Sequence, residues 1–200
     1  ISIGGRFIAF TSLASNWVEN DHNQCSDVFI HDLWLEKTYC ASINANGIPA
    51  AGASHSPTLA AARPKLAFVS TAIELGAHPA VPQIFYSDGL GKSPTHISTS
   101  AMGFAANAAC SQPALSANGD TVAYCSLANN LHAVDQNASS DIYLYHHSSR
   151  ATQLASKHES GAAFNQPSCQ PSLSADGRFL AFATMTDGIH PLDLNGAQDI

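Results

Sequence analysis

The sequence predicts an all-β fold, a β-propeller of four-stranded antiparallel blades, of which about three and a half are present in these 200 residues. Three observations predict it. Landmarks recur at a fixed long spacing, tight-turn signals separate short apolar runs, and those runs are apolar at every position rather than at alternate ones.

The spacing is the strongest of the three. Ala9 in RFIAFTS, Ala67 in KLAFVS, Ala123 in TVAYCS and Ala181 in RFLAFAT stand 58, 56 and 58 residues apart. Asp27, Gln83, Asp141 and Asp199, each opening a second apolar run, stand 56, 58 and 58 apart. Pro57, Pro113 and Pro171 precede the apolar runs at 56 and 58. Landmarks that share one period define a repeat unit, and the units fall at about 1–55, 56–111, 112–169 and 170–200 of a single domain.

Each unit reads in the same order. A short first strand (SPTLA, QPALS, QPSLS) meets a tight turn such as ANGD or ADGR, and the fully apolar second strand follows. A loop of about thirteen residues leads to an apolar-aromatic third strand, Val28 to Ile30, Ile84 to Tyr86 or Ile142 to Tyr145. A second tight turn gives the fourth strand (KTYCASI, SPTHIST, ATQLASK). No segment sustains a 3.6-residue apolar period, so the alanines do not signal helices. A single antiparallel sheet packs one face and wets the other. Strands apolar on both faces need a cover on each side, and the neighbouring copies supply it, as in the face-to-face blades of a propeller. The chain opens on the second strand of one blade and ends early in the third strand of another, which leads us to expect further blades outside it.

Composition narrows the function. Charged residues make up 12% of the chain against 45% hydrophobic, and the net charge of −7 with eight Lys and Arg leaves no basic stripe for nucleic acid. No apolar stretch reaches the 18 or so residues of a membrane span. A surface of Ser, Asn and Thr with little Lys suits an extracellular or periplasmic protein.

PSLSADGRFLAFAT, residues 171–184, resembles the repeat of the TolB-like, WD40-like propellers of bacteria, with Pro171, Leu173, Ser174, Asp176, Gly177, Arg178, Leu180, Ala181 and Phe182 in the positions of that pattern. QPALSANGDTVAYCS fits with Asn118 for the Asp and Asp120 for the Arg, whereas the unit at HSPTLAAARPKLAFVS has Ala62-Arg63 in place of Asp-Gly. The resemblance covers essentially the whole chain. It implies the propeller fold, and it implies little about activity, because propellers host many unrelated functions.

The loop between second and third strands carries Asp-x-Asn-x-x-x-Asp in three units, as Asp21, Asn23 and Asp27; Asp135, Asn137 and Asp141; and Asp193, Asn195 and Asp199. Oxygen side chains at alternate positions closed by a carboxylate make these nine residues candidate calcium ligands. The same pattern also describes an Asx-turn, in which the side chains hold loop N–H groups. The second unit's AHPAVPQ (77–83) lacks these oxygens, so no ion is expected there. Trp17, Leu75, Leu131 and Ile189 recur eight residues after the aligned alanines and read as plugs folding the loop onto its blade, with Trp17 also a candidate binding aromatic. His132 and His190 recur at matching loop positions, which favours a shared structural role, and His146-His147 reads as a solvated turn. The Gly- and Ala-rich loops after the fourth strands suggest tight backbone packing near a central channel. Cys110 and Cys125, flanking a hairpin, are one candidate disulfide pair, and Cys110 with Cys169 is the competing one.

No G-x-S-x-G, H-E-x-x-H or glycine-rich phosphate motif occurs, and no catalytic or cofactor-binding residue stands out. The reading is a non-catalytic secreted or periplasmic module that binds a protein or polymer through its loop faces. The alternatives are the propeller domain of a secreted hydrolase, lyase or peptidase, and a structural subunit of a cell-surface assembly. An enzyme would need one blade to carry polar residues that its siblings lack.

Overall fold

The computed structural model describes residues 1–77, 81–187, 189 and 196–200. Among the described residues thirteen strands run in chain order: β1 (Phe7–Ser12), β2 (Asp27–Asp32), β3 (Lys37–Cys40), β4 (Ser54–Leu59), β5 (Leu66–Ser70), β6 (Gln83–Ser87), β7 (Thr95–His96), β8 (Cys110–Leu115), β9 (Thr121–Ser126), β10 (Asp141–His146), β11 (Ala151–Leu154), β12 (Ser168–Leu173) and β13 (Leu180–Thr184). They form antiparallel meanders, β1-β2-β3, β4-β5-β6-β7, β8-β9-β10-β11 and β12-β13, with Asp199 bridging to Thr184 beside the last.

The apolar second strands behave as two-sided burial requires. In β5 and β9 every residue is buried, Ala67 and Ala123 completely so. In β1 and β13 burial is incomplete, with Ala9 half-buried and Ala181 exposed. The difference has one cause: the two inner sheets have a neighbour on each face, whereas the first and last have one on a single face among the described residues. Two core clusters fill the gaps between sheets. One joins Ala67, Val69, Ile84 and Tyr86 to Val122, Tyr124 and Tyr143, and the other joins Val28 and Ile30 to Leu66, Phe68 and Phe85.

The first strands β4, β8 and β12 carry the prolines, and each has a bulge there. Ser56, Gln112 and Gln170 take φ of 53°, 53° and 58°, and the pairing slips between His55 and Thr58, Ser111 and Ala114, and Cys169 and Ser172. A bulge needs no ladder N–H at that point, which is what lets proline sit inside these strands. The hairpin of the second sheet closes although Asp-Gly is missing: the Ala60 N–H donates to the Lys65 carbonyl at 2.8 Å, as Ser116 does to Thr121 and Ser174 to Phe179.

Neighbouring sheets are stitched at matching points. The N–H that opens each first strand donates to the carbonyl just before the previous sheet's third strand: Ser54 to Ser26 at 2.7 Å, Cys110 to Pro82 at 2.9 Å and Ser168 to Ser140 at 2.8 Å. The turns at the other end join too, Ile3 N–H to the Ala61 carbonyl, Ala62 to Ala117, and Ala117 to Ala175. Gly119 is required here, because its φ is +73° and a Cβ would lie 2.6 Å from Lys65 Cδ of the preceding sheet. The Ala-rich loop packs closely as well, with a Cβ on Gly52 reaching within 2.5 Å of Ala72 Cα in the next sheet's loop. None of the described helices is long and apolar enough to cross a membrane.

Candidate functional site

The repeated Asp-x-Asn-x-x-x-Asp loops are the polar feature that the sequence singles out. In the first, Asn23 Oδ1 accepts from the Cys25 N–H at 2.8 Å, which makes the Asx-turn. Its Nδ2 donates to Asp27 Oδ2 at 2.7 Å and to the Ala50 carbonyl at 2.9 Å. The other Asp27 oxygen accepts from Ser42 Oγ at 2.5 Å, and Ser42 Oγ takes the Val28 N–H at 3.1 Å. One buried carboxylate thereby ties together the loop, the start of β2, the end of the β3 segment and the loop leading to the next sheet.

The third loop repeats this atom for atom. Asn137 accepts from Ser139 N–H at 2.8 Å and donates to Asp141 Oδ2 at 2.8 Å and to the Phe164 carbonyl at 2.5 Å. Ser156 Oγ donates to Asp141 Oδ1 at 2.5 Å and accepts the Ile142 N–H at 3.0 Å. Burial pushes both Asp27 and Asp141 upward from the ordinary carboxylate value, and the donated bonds from Ser and Asn pull them back.

The second sheet has no such loop, yet it makes the same connections. Gln83 stands where the Asp would be. Its Oε1 accepts from Ser98 Oγ at 2.9 Å, Ser98 Oγ accepts the Ile84 N–H at 2.9 Å, and Gln83 Nε2 donates to the Ala106 carbonyl at 3.1 Å. Ala50, Ala106 and Phe164 occupy one repeat position, so a single glutamine provides the carboxylate's acceptor and the asparagine's donor. His96 joins this cluster, its Nε2 3.1 Å from Gln83 Oε1 and its ring stacked on Phe85 at 4.8 Å. Burial lowers the His96 imidazole to about 4.

Asp21 and Asp135, the first carboxylates of these loops, are both buried. Asp135 accepts from the Tyr143 hydroxyl, and burial with that carboxylate drives the phenol far above its usual range. Phe29 and Phe85 stand at the Tyr143 position in the first two sheets, so among the described residues the pair belongs to the third sheet, and it is sealed inside. Asp199 is exposed and bridges to Thr184, while Asp193, Asn195 and His190 lie outside the described residues. Among the described residues no group of three or more His, Cys, Asp or Glu side chains gathers in one place.

Of the plug positions, Leu131 is buried in the core between the second and third sheets, Leu75 packs half-buried against the core between the first and second, and Ile189 is exposed, so it does not act as a plug. Trp17 rests edge-on against Phe10 at 5.2 Å and donates to Ser12 Oγ. With Tyr39, Ile43 and Pro49 it lines an open groove of about 770 Å³ that Gly91 of the second sheet also borders. His132 supports its own loop through Asp135 N–H, and His147 differs from expectation. Its ring packs on Tyr86 of the preceding sheet at 4.5 Å and lies half-buried, because the β10–β11 turn leans across the junction between sheets.

The cysteines also differ from both expected pairings. Cys110 takes a position that is Ser54 and Ser168 in the other sheets and bonds Ser126 Oγ at 3.2 Å, so it acts as a buried hydroxyl analogue. Cys125 pairs in register with Ser111, one residue from Cys110, and faces the other way. Its sulfur lies 2.8 Å from that of Cys169 on β12.

No protein-family model and no curated protein matches the chain. Solved structures are similar to it, two of them as follows. The crystal structure of the tricorn protease superposes with a TM-score of 0.58 at 16% identity, covering 90% of this chain and 14% of that one. The crystal structure of TolB from Acinetobacter baumannii gives 0.48 at 15% identity, covering 96% of this chain and 40% of that one. This chain therefore spans a small part of each. Together with the stacked four-stranded antiparallel sheets, the first likeness shows a propeller-type fold.

Proposed function

We propose that this chain is part of a β-propeller that works without catalysis, as an extracellular or periplasmic scaffold for a protein or polymer partner, with further blades completing the ring. One observation carries the reading. The buried polar side chains recur from sheet to sheet and are committed to holding loops, as in Asp27–Ser42, Gln83–Ser98 and Asp141–Ser156. What varies between sheets is the exposed loop tips, such as Ile48, Met102 and Phe104, which stand at one end of the meanders with Trp17. A constant frame with variable apolar tips is the form of a binding surface. The Tyr143–Asp135 pair, the private polar arrangement that an enzyme would need, is closed to solvent and supports the scaffold reading.

The test is incubation with a peptide library and a polysaccharide panel, read for both binding and product formation. The scaffold reading expects retention of a ligand that weakens with Met102→Ser and Phe104→Ser and no change in ligand mass. Turnover by the wild-type chain refutes it.

A further inference from the structure

We propose that Cys125 and Cys169 form a disulfide that staples the third sheet to the fourth when the protein meets a low-molecular-weight disulfide. Cys125 lies on β9 and Cys169 on β12, and their sulfurs already sit 2.8 Å apart. A disulfide brings two sulfurs to about 2.05 Å, so less than an ångström of motion separates contact from bond.

The surroundings hold both side chains in place. Ser140 Oγ lies 3.2 Å from the Cys169 sulfur, and the Cys125 sulfur faces the Ser168 carbonyl at 3.5 Å. This is the point where Ser168 N–H is stitched to the Ser140 carbonyl, so the two backbones are fixed against each other at the site of the link. The equivalent positions at the other junctions are Thr11 with His55 and Val69 with Ser111. Neither of those pairs of positions holds a thiol, whereas this junction holds two.

The chemistry balances as two exchanges. Cys169, half-buried, attacks the external disulfide RSSR to give a mixed disulfide and releases RSH. Cys125 then attacks the Cys169 sulfur, forming the protein S–S bond and releasing the second RSH. Two protein S–H bonds are lost, and their two electrons reduce RSSR. Burial raises the Cys125 thiol above its ordinary value, which slows the second step.

The test treats the protein, expressed at its natural length, with oxidised glutathione, blocks free thiols under denaturing conditions and maps peptides without reduction. The digest must cut at Asp120, between Cys110 and Cys125. A linked peptide joining Cys125 to Cys169, two hydrogens lighter than the sum of its parts, is the expected result. The link closes a span of 44 residues, so the oxidised form should melt roughly 5–15 °C above the reduced form. Cys169→Ser should abolish that difference, and Cys110→Ser should keep it. Separate alkylation of Cys125 and Cys169 after oxidation, or a link through Cys110, overturns the proposal. The wild-type map alone decides it should a variant fail to fold.

Discussion

Acid should weaken this fold through one imidazole, and His96→Asn should remove that weakness. The His96 ring is stacked on Phe85 and held with Gln83 and Ser98 in a cluster that shuts out most water. Burial lowers its value from 6.5 to about 4, with the Gly76 backbone opposing the shift. A group that binds fewer protons when folded favours the unfolded chain as it charges, so its stability is intact above pH 6.5 and is lost as pH falls towards 4. At about 1.4 kcal/mol per pH unit over that interval the limit is about 3 kcal/mol, and partial solvation of the ring leaves about 2–3 kcal/mol to be measured. The assay is urea unfolding of the wild type and of His96→Asn between pH 7.5 and 4. Other acids titrate in both proteins, so the informative quantity is their difference, which should narrow by about 2–3 kcal/mol as pH drops. Parallel curves across the range would refute the assignment of a buried neutral imidazole.

Three further outcomes are expected. Gln83→Leu leaves the Ala106 carbonyl without its donor and takes one acceptor from Ser98, and should cost about 1–3 kcal/mol in chemical denaturation. Gly119→Val forces a branched side chain to φ +73° against Lys65 and should cost about 2–3 kcal/mol, while Gly47→Ala, with open space around it, should cost less than half as much. For the Asp21, Asn23, Asp27 and Asp135, Asn137, Asp141 loops, the melting temperature should be the same in excess calcium and in chelator, because the Asn and Ser donors already occupy the closing carboxylates; a rise with calcium would establish the ion reading.

Much of the fold was legible because period and burial are linear properties of the chain. Ala67 and Ala123 sit in runs apolar at every position, and such runs can be stable only between two covers, so the stacking follows from the sequence without knowledge of any contact. The cysteine pairing was not legible for a related reason. Cys110 and Cys125 are close along the chain, but adjacent positions on paired antiparallel strands point to opposite faces, and one residue of register sends Cys125 towards β12 instead. His147 shows the same limit: hairpin-turn residues are solvated by default, and only the lean of one sheet onto another brings its ring to Tyr86.

The loops show how one tether is built from different residues. Aligned by letters, the second unit has lost Asp-x-Asn-x-x-x-Asp, and the loss looks like the loss of a site. Aligned by hydrogen bonds, the Asx-turn goes but two links remain. Gln83 reaches Ser98 with its oxygen and the Ala106 carbonyl with its nitrogen, the two links that Asp27 and Asn23 divide between them. An amide has no charge to offer a cation, so what the three sheets share is the tether itself. That makes the loop oxygens part of the frame. It moves the search for partner-binding residues to side chains that no tether uses, and on the described surface the exposed Met102 and Phe104 at the tip before the third sheet are the first to substitute.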